Sequence, residues 1–200
     1  MVIPHGDLNY IFNHVIEKDG IFYENPTITF LVSINPYKGL KFFIEVMSLI
    51  LAKFVINLIF LGIPRESMDK YYKYADQLGI SKNILWGIKY ILLDDMNNGI
   101  KNTNIFVFPY ERTSQSDGIP AAFTLGKPVV IRSVVGLPEM IGNNIDGMIA
   151  NSPPEMADKI IDLVKNNKKY IRMQKYIYSQ RKNRNDWKNL YPNFLKLYNL

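Results

Sequence analysis

"ITFLVSINPYKGLKFFIEVMSLILAKFVINLIFLGI", residues 28 to 63, holds three elements in one run. Residues 28 to 34 are a short β-branched and apolar stretch that ends at "NPYKG", where Pro36 and Gly39 are turn signals. After the turn the spacing changes. Phe42, Phe43, Val46, Met47, Ile50 and Leu51 fall on one face of a period of about 3.6 residues, which predicts a helix. Residues 54 to 63, "FVINLIFLGI", are apolar nearly throughout, as expected of a strand buried on both faces of a parallel sheet. Residues 44 to 63 taken alone have the length of a membrane span, yet Glu45, Lys53 and Asn57 interrupt them. A charge at the bilayer centre costs about 3 kcal/mol, so the run reads instead as strand, helix and buried strand.

The same alternation continues along the chain. Pro64 opens "PRESMDKYYKYADQLGI", read as a polar helix closed near Gly79. "NILWGI" (83–88) predicts a third strand, "YILLDDMNNGIKN" (90–102) a helix, "NIFVFP" (104–109) a fourth strand and "KPVVIRS" (127–133) a fifth. "DGMIAN" (146–151) predicts a short sixth strand, and "SPPEMADKIIDLVKN" after it has a Ser/Pro cap and a helical period. Two further polar helices fill the remainder. The pattern predicts an α/β fold, a Rossmann-like doubly wound parallel sheet with extra C-terminal helices. Such sheets bind ligands outside the carboxyl ends of their strands.

The composition fits one globular domain with an appendage: 200 residues, 48% of them hydrophobic and 21% charged. Cysteine is absent, and His5 and His14 are the only imidazoles, so neither disulfides nor a histidine or thiolate metal site is expected. The N-terminal "MVIPHGDLNY" lacks the basic-then-apolar order of a signal peptide, which points to the cytoplasm. Neither GxGxxG nor GxxxxGK[ST] occurs. The net charge of +6 is concentrated: from residue 155 onward eleven Lys or Arg face only Glu155, Asp158, Asp162 and Asp186. Tyr170, Tyr176, Tyr178, Trp187 and Tyr191 are interleaved with these cations. That pattern leaves open a nucleic-acid stripe, a surface for anionic lipid head groups, or solvated helices with their aromatics turned inward.

Two polar segments fall beyond strand ends. "PYERTSQSDG" follows the fourth strand and leads into the short helix "IPAAFTLG", with Ser116 or Asp117 as its N-cap and Pro120 in its first turn. A helix start with Ser114, Gln115 and Ser116 as added donors suits a phosphate, and an ordinary capped loop is the alternative. Lys38 follows the first strand at another helix start, where a cation opposes the dipole. An anion between the two would reconcile that placement; a solvated lysine is the other reading. "GLPEMIGNNIDG" (136–147) shapes the same rim by turn chemistry, and Glu139 reads as a cap or surface acid.

Four segments in order resemble one family: "VIPHGDLNYIF" (2–12), "VSINPYKGLKFFIE" (32–45), "NIFVFPYERTSQSDGIPAAFTLGKPVV" (104–130) and "GLPEMIGNNIDGMIA" (136–150). They look like the second domain of family 4 (group 1) glycosyltransferases of the GT-B fold. "NDWKNLYPNFLKLY" (185–198) resembles that family's closing helix. The resemblance covers nearly the whole chain, and the joint order of the motifs is more specific than any one of them. It implies a single GT-B half, with a nucleotide-sugar-binding domain over residues 1–182 and a crossing helix over 183–200.

The resemblance further implies retaining, metal-independent hexosyl transfer, with a nucleotide-diphosphate sugar as donor substrate and no cofactor. By position, Lys38 matches the lysine that neutralises the donor diphosphate. Ser114, Gln115, Ser116, Asp117 and Gly118, with Ile119 at the helix start, match the segment that embraces phosphates and sugar. Gly87 and Ile88, after the third strand, match backbone positions near the nucleobase; no residue is assigned a catalytic role. The chain also departs from the pattern. Thr113 and Ala121 stand where many members carry two glutamates, Asp117 stands where glycine is usual, and the arginine often found shortly before the lysine is missing, leaving Ser33 and Asn35.

"VIPHG" is where members of the family enter their second domain, so the resemblance implies that the acceptor-binding first domain is missing from this chain. A separate acceptor-domain polypeptide would then supply it, or a homodimer would cover the last helix through Trp187, Leu190, Phe194 and Leu197. Family members often act on lipid-linked acceptors in polysaccharide or glycolipid synthesis, which gives the basic tail a role in peripheral contact with an anionic membrane at the cytoplasmic face. Two other functions stay open: a catalytically inactive partner subunit, and nucleic-acid binding through the basic helices.

Overall fold

β1 (Thr27–Leu31) is a β-branched and aromatic run whose first four residues are buried. The computed structural model describes residues 25–31, 33–88, 100, 102–181, 188, 191, 192, 195 and 196. β2 (Asn57–Gly62) and β4 (Thr103–Phe108) flank β1 in parallel. β3 (Ile84–Ile88), β5 (Val129–Arg132) and β6 (Gly147–Ala150) complete a six-stranded sheet in the order β3-β2-β1-β4-β5-β6. All pairings are parallel. This is the doubly wound Rossmann-like α/β arrangement expected from the alternation of elements.

The strand pleat sorts the core. Ile105, Val107 and Val130 point to one face, beneath α1 (Leu40–Leu51), α2 (Asp69–Gln77) and α4 (Pro153–Lys165). Phe106, Phe108, Val129 and Ile131 point to the other, beneath α3 (Gly118–Thr124). On the first face Phe30, Phe43 and Phe60 pack with ring centroids 5.3 to 5.7 Å apart. α4 is capped as its sequence predicts, Ser152 Oγ accepting from the Glu155 N–H at 3.3 Å.

Three boundaries differ from the sequence reading by three residues or more. β1 stops at Leu31, and Ile34 beyond it forms only an isolated bridge with Pro64. The helix expected from Pro64 starts at Asp69, because Pro64 is held in that bridge and the Arg65 N–H donates to Ile34 O at 2.9 Å instead of entering a helix. Phe54 and Val55 precede β2: the Lys53 and Phe54 N–H groups both donate to Ile50 O at 2.8 Å, closing α1. Leu40 and Ile44 replace Phe42 and Leu51 among the fully buried positions of α1. No described helix is long and apolar enough to cross a membrane. The helix predicted over 90–102 lies outside the described residues apart from Ile100 and Asn102, as do Trp187, Leu190, Phe194 and Leu197.

The basic α5 (Asn167–Arg181) turns aromatics inward and leaves Lys168, Arg172 and Lys175 exposed. Tyr170 is 1% exposed, and its hydroxyl donates to Asn104 O at 2.9 Å, tying α5 to β4. Tyr170→Phe removes that donor from a buried carbonyl and is expected to lower stability by about 1 to 2 kcal/mol in urea unfolding, without changing the slope of the transition.

Candidate functional site

β1 and β4 are adjacent, and the helices that follow them leave for opposite faces of the sheet. A crevice therefore opens beyond their carboxyl ends, between the exit loops of the two strands. The β1 exit contains a tight turn, Pro36–Lys38, closed by the Lys38 N–H on Asn35 O at 3.0 Å. Gly39 follows with φ 74°, and α1 starts from it, the Phe43 N–H donating to Gly39 O at 3.0 Å. A Cβ on Gly39 would stand 1.9 Å from Pro109 O. Glycine here lets the α1 entry touch the β4 exit, and the Glu111 N–H then donates across to Tyr37 O at 2.8 Å.

This stapled pair of loops fixes Lys38. Its Nζ lies 3.8 Å from the centroid of the Tyr110 ring and 5.1 Å from that of Tyr37. Burial pushes the Lys38 ammonium below the usual lysine value, and the charge of Asp117 partly offsets that. Tyr110 is 1% exposed, and its hydroxyl shares a hydrogen bond of 3.1 Å with Ser116 Oγ. Burial raises the Tyr110 phenol well above its ordinary value, so the ring under Lys38 stays neutral and electron-rich.

The β4 exit loop is braced from below and from the side. A Cβ on Gly118 would stand 2.4 Å from the Phe108 ring, and one on Gly136, which has φ 89°, would stand 2.0 Å from Ser114 O. Thr113 Oγ1 donates to Gln115 O at 2.5 Å and accepts from the Gln115 N–H at 3.3 Å. Asp117 occupies the N-cap position of α3, but its side chain does not cap the helix. Its φ of −69° and ψ of −20° are helical, whereas a capping side chain needs an extended backbone to reach the first-turn N–H groups.

Of the residues singled out from sequence, Lys38 and the loop from Ser114 to Gly118 converge on one crevice. Ser114, Gln115 and Asp117 are exposed there, while Ser116 is buried against Tyr110 and Ile119 lies in the core with only its backbone toward the rim. Gly87 and Ile88 are the last residues of β3 rather than the start of its loop, paired with Leu61 and Gly62. They share the rim but lie two strands from β1, roughly 10 Å across the sheet. A Cβ on Gly87 would stand 2.5 Å from Leu61 Cδ2, so glycine there serves close strand packing.

Sequence reasoning passed over Tyr110 and Arg65. Tyr110 carries a weak signal, an aromatic directly after the fourth strand. Arg65 carries none, because the sequence there reads as helix, whereas its Nε donates to Ser33 Oγ at 3.3 Å. Among the described residues no group of three or more His, Asp or Glu gathers in a metal-ligand arrangement.

A family model described as "Glycosyl transferases group 1" matches residues 13–180. No curated protein matches the chain. Among solved structures it is similar to the sucrose-phosphate synthase of Thermosynechococcus elongatus, with TM-score 0.83 and 15% identity over 100% of this chain and 52% of that one. Anabaena HepE in complex with UDP-glucose gives TM-score 0.74 and 16% identity, covering 88% of this chain and 50% of the other. The C-terminal domain of a group 1 family protein, LpcC of Francisella tularensis, gives TM-score 0.70 and 19% identity, covering 81% of this chain and 87% of that one. The chain thus spans about half the length of the first two proteins and most of the isolated C-terminal domain.

Proposed function

Since the chain belongs to the group 1 glycosyltransferase family, we propose that this domain binds a nucleotide-diphosphate sugar in the crevice between Lys38 and residues 114–118, as the donor half of a retaining hexosyltransferase. The observation that carries the reading is Lys38: a half-buried ammonium over the neutral Tyr110 ring just before α1, whose burial Asp117 offsets only in part, so that a bound anion would stabilise its charge further.

In transfer, the bond from the sugar anomeric carbon to the diphosphate oxygen breaks and negative charge grows on the departing nucleoside diphosphate. The Lys38 ammonium and the backbone N–H groups near residues 116–119 stabilise that charge, each good donor supplying about 3 kcal/mol. No step needs a metal or cofactor. Groups that touch the acceptor lie outside this domain. The exposed cations of α5 hold the domain beside anionic head groups at the cytoplasmic face of a membrane, each worth about 1 kcal/mol close to the surface.

A binding-only partner subunit is the second reading. It is favoured by Thr113, whose hydroxyl is spent on Gln115, and by Ala121, which is buried, at the positions where many members carry glutamates. Nucleic-acid binding is the weakest, since Tyr170 and Tyr178 pack inward instead of offering stacking faces. Calorimetric titration with UDP-, GDP- and ADP-glucose tests the proposal: saturable one-site heat with one of them is expected, and no heat with any sinks it. Sugar transfer to an acceptor by the isolated chain would remove the second reading.

A further inference from the structure

We propose that Arg65 is a second phosphate-binding cation of this crevice, reaching in from the β2 exit and selecting a diphosphate over a monophosphate. The inference rests on the nucleotide-sugar reading above and deepens it.

The backbone brings Arg65 there. Beyond the ends of β1 and β2 the two chains remain paired, the Ile34 N–H donating to Ile63 O at 2.8 Å and the Arg65 N–H to Ile34 O at 2.9 Å. The side chain then turns back along the β1 exit, where Nε donates to Ser33 Oγ at 3.3 Å. Ser33 is in turn linked to Asn35, whose Nδ2 donates to Ser33 O at 3.2 Å, and Asn35 O accepts the Lys38 N–H at 3.0 Å. One six-residue loop, 33 to 38, therefore holds a guanidinium at its start and an ammonium at its end.

Among the described residues the guanidinium meets only Ser33. Arg65 is exposed, and no carboxylate pairs with it among the described residues. The adjacent Glu66 is engaged by Lys70 and by the Tyr71 hydroxyl at 2.7 Å. A neutral serine fixes Nε and leaves the terminal nitrogens as a planar pair, the geometry that grips a phosphate in two places. Lys38, a point charge set deeper in the crevice, suits one phosphate; Arg65 at the rim suits its neighbour. Ser33 acts as a positioning residue.

The test uses the full chain and displacement calorimetry with UDP and UMP, or the GDP or ADP pair should the titrations above select another base. Arg65→Ala is expected to weaken UDP about tenfold while UMP changes by less than about twofold. Arg65→Lys should recover part of the loss, and Ser33→Ala should weaken UDP without touching UMP. UDP binding by Arg65→Ala at wild-type strength overturns the inference, as does an equal loss for UDP and UMP. If the unaltered chain binds no nucleoside diphosphate, the underlying donor-site reading fails instead. All three changes are at exposed positions, so thermal midpoints should stay within a few degrees of the parent.

Discussion

Lys38→Ala is expected to weaken nucleoside diphosphate binding by about 10- to 100-fold, the worth of one charge-assisted contact to phosphate. Lys38→Met keeps the aliphatic stem over Tyr110 and should lose as much, because the missing term is charge rather than packing. Lys38→Met, which keeps the stem packing, should leave the apo domain close to its parent stability. The pH dependence has a definite sign. Burial lowers the Lys38 pKa, so the unfolded chain binds the proton more tightly, and apo stability from this group rises with pH between the lowered value and the ordinary lysine value of 10.5. Diphosphate binding goes the other way. It needs the ammonium and should weaken as pH climbs through the lowered pKa, earlier than for an ordinary lysine. Lys38→Arg should flatten that profile, because a guanidinium stays charged throughout. Affinity for UDP, GDP and ADP left intact by Lys38→Ala would remove Lys38 from the site.

Gly39→Ala is expected to cost about 3 to 5 kcal/mol and to lower the thermal midpoint by roughly 6 to 20 °C. Two effects add. With φ 74° an alanine pays about 1 to 2 kcal/mol for the left-handed backbone, and its Cβ would meet Pro109 O at 1.9 Å, a distance that forces the β1 and β4 exits apart. Gly79 separates the two contributions: it has φ 70° and nothing within 4 Å of a built Cβ. Gly79→Ala should therefore cost only the backbone term, about 1 to 2 kcal/mol. Equal midpoints for the two variants would mean that the loop contact carries no energy. Since the same contact aligns Lys38 with Tyr110, Gly39→Ala should also weaken UDP binding at temperatures where the domain remains folded.

Most of the sheet was legible from local pattern. Alternation along "IFVF" sends Ile105 and Val107 to one face and Phe106 and Phe108 to the other, and the continuous apolar character of residues 58–61 fits a central parallel strand. The order of turn, helix and strand within residues 28–63 requires a right-handed crossover and so a parallel pair. Of the boundaries that differed, the one at Pro64 reflects a long-range bridge to Ile34 prevailing over a local helix start, and the one at Phe54 a local helix end on Ile50 O prevailing over the strand.

The site divides the same way. Lys38 and the polar run from Ser114 to Gly118 stand out in sequence because they follow strands, and a parallel sheet gathers all its strand exits at one edge. Which way each side chain turns there depends on what it meets. Ser116 looks like a free donor until Tyr110 accounts for its hydroxyl. Asp117 looks like a cap until its helical backbone turns the carboxylate elsewhere. Arg65 looks like a surface residue of a helix until the Ile34–Pro64 bridge carries it to Ser33. Periodicity and turn chemistry act over a few residues and so determined the order of elements and the sheet edge that carries the candidate site. The pairing of Lys38 with Tyr110 and of Arg65 with Ser33 spans 72 and 32 positions of chain, and only folding brings those groups together.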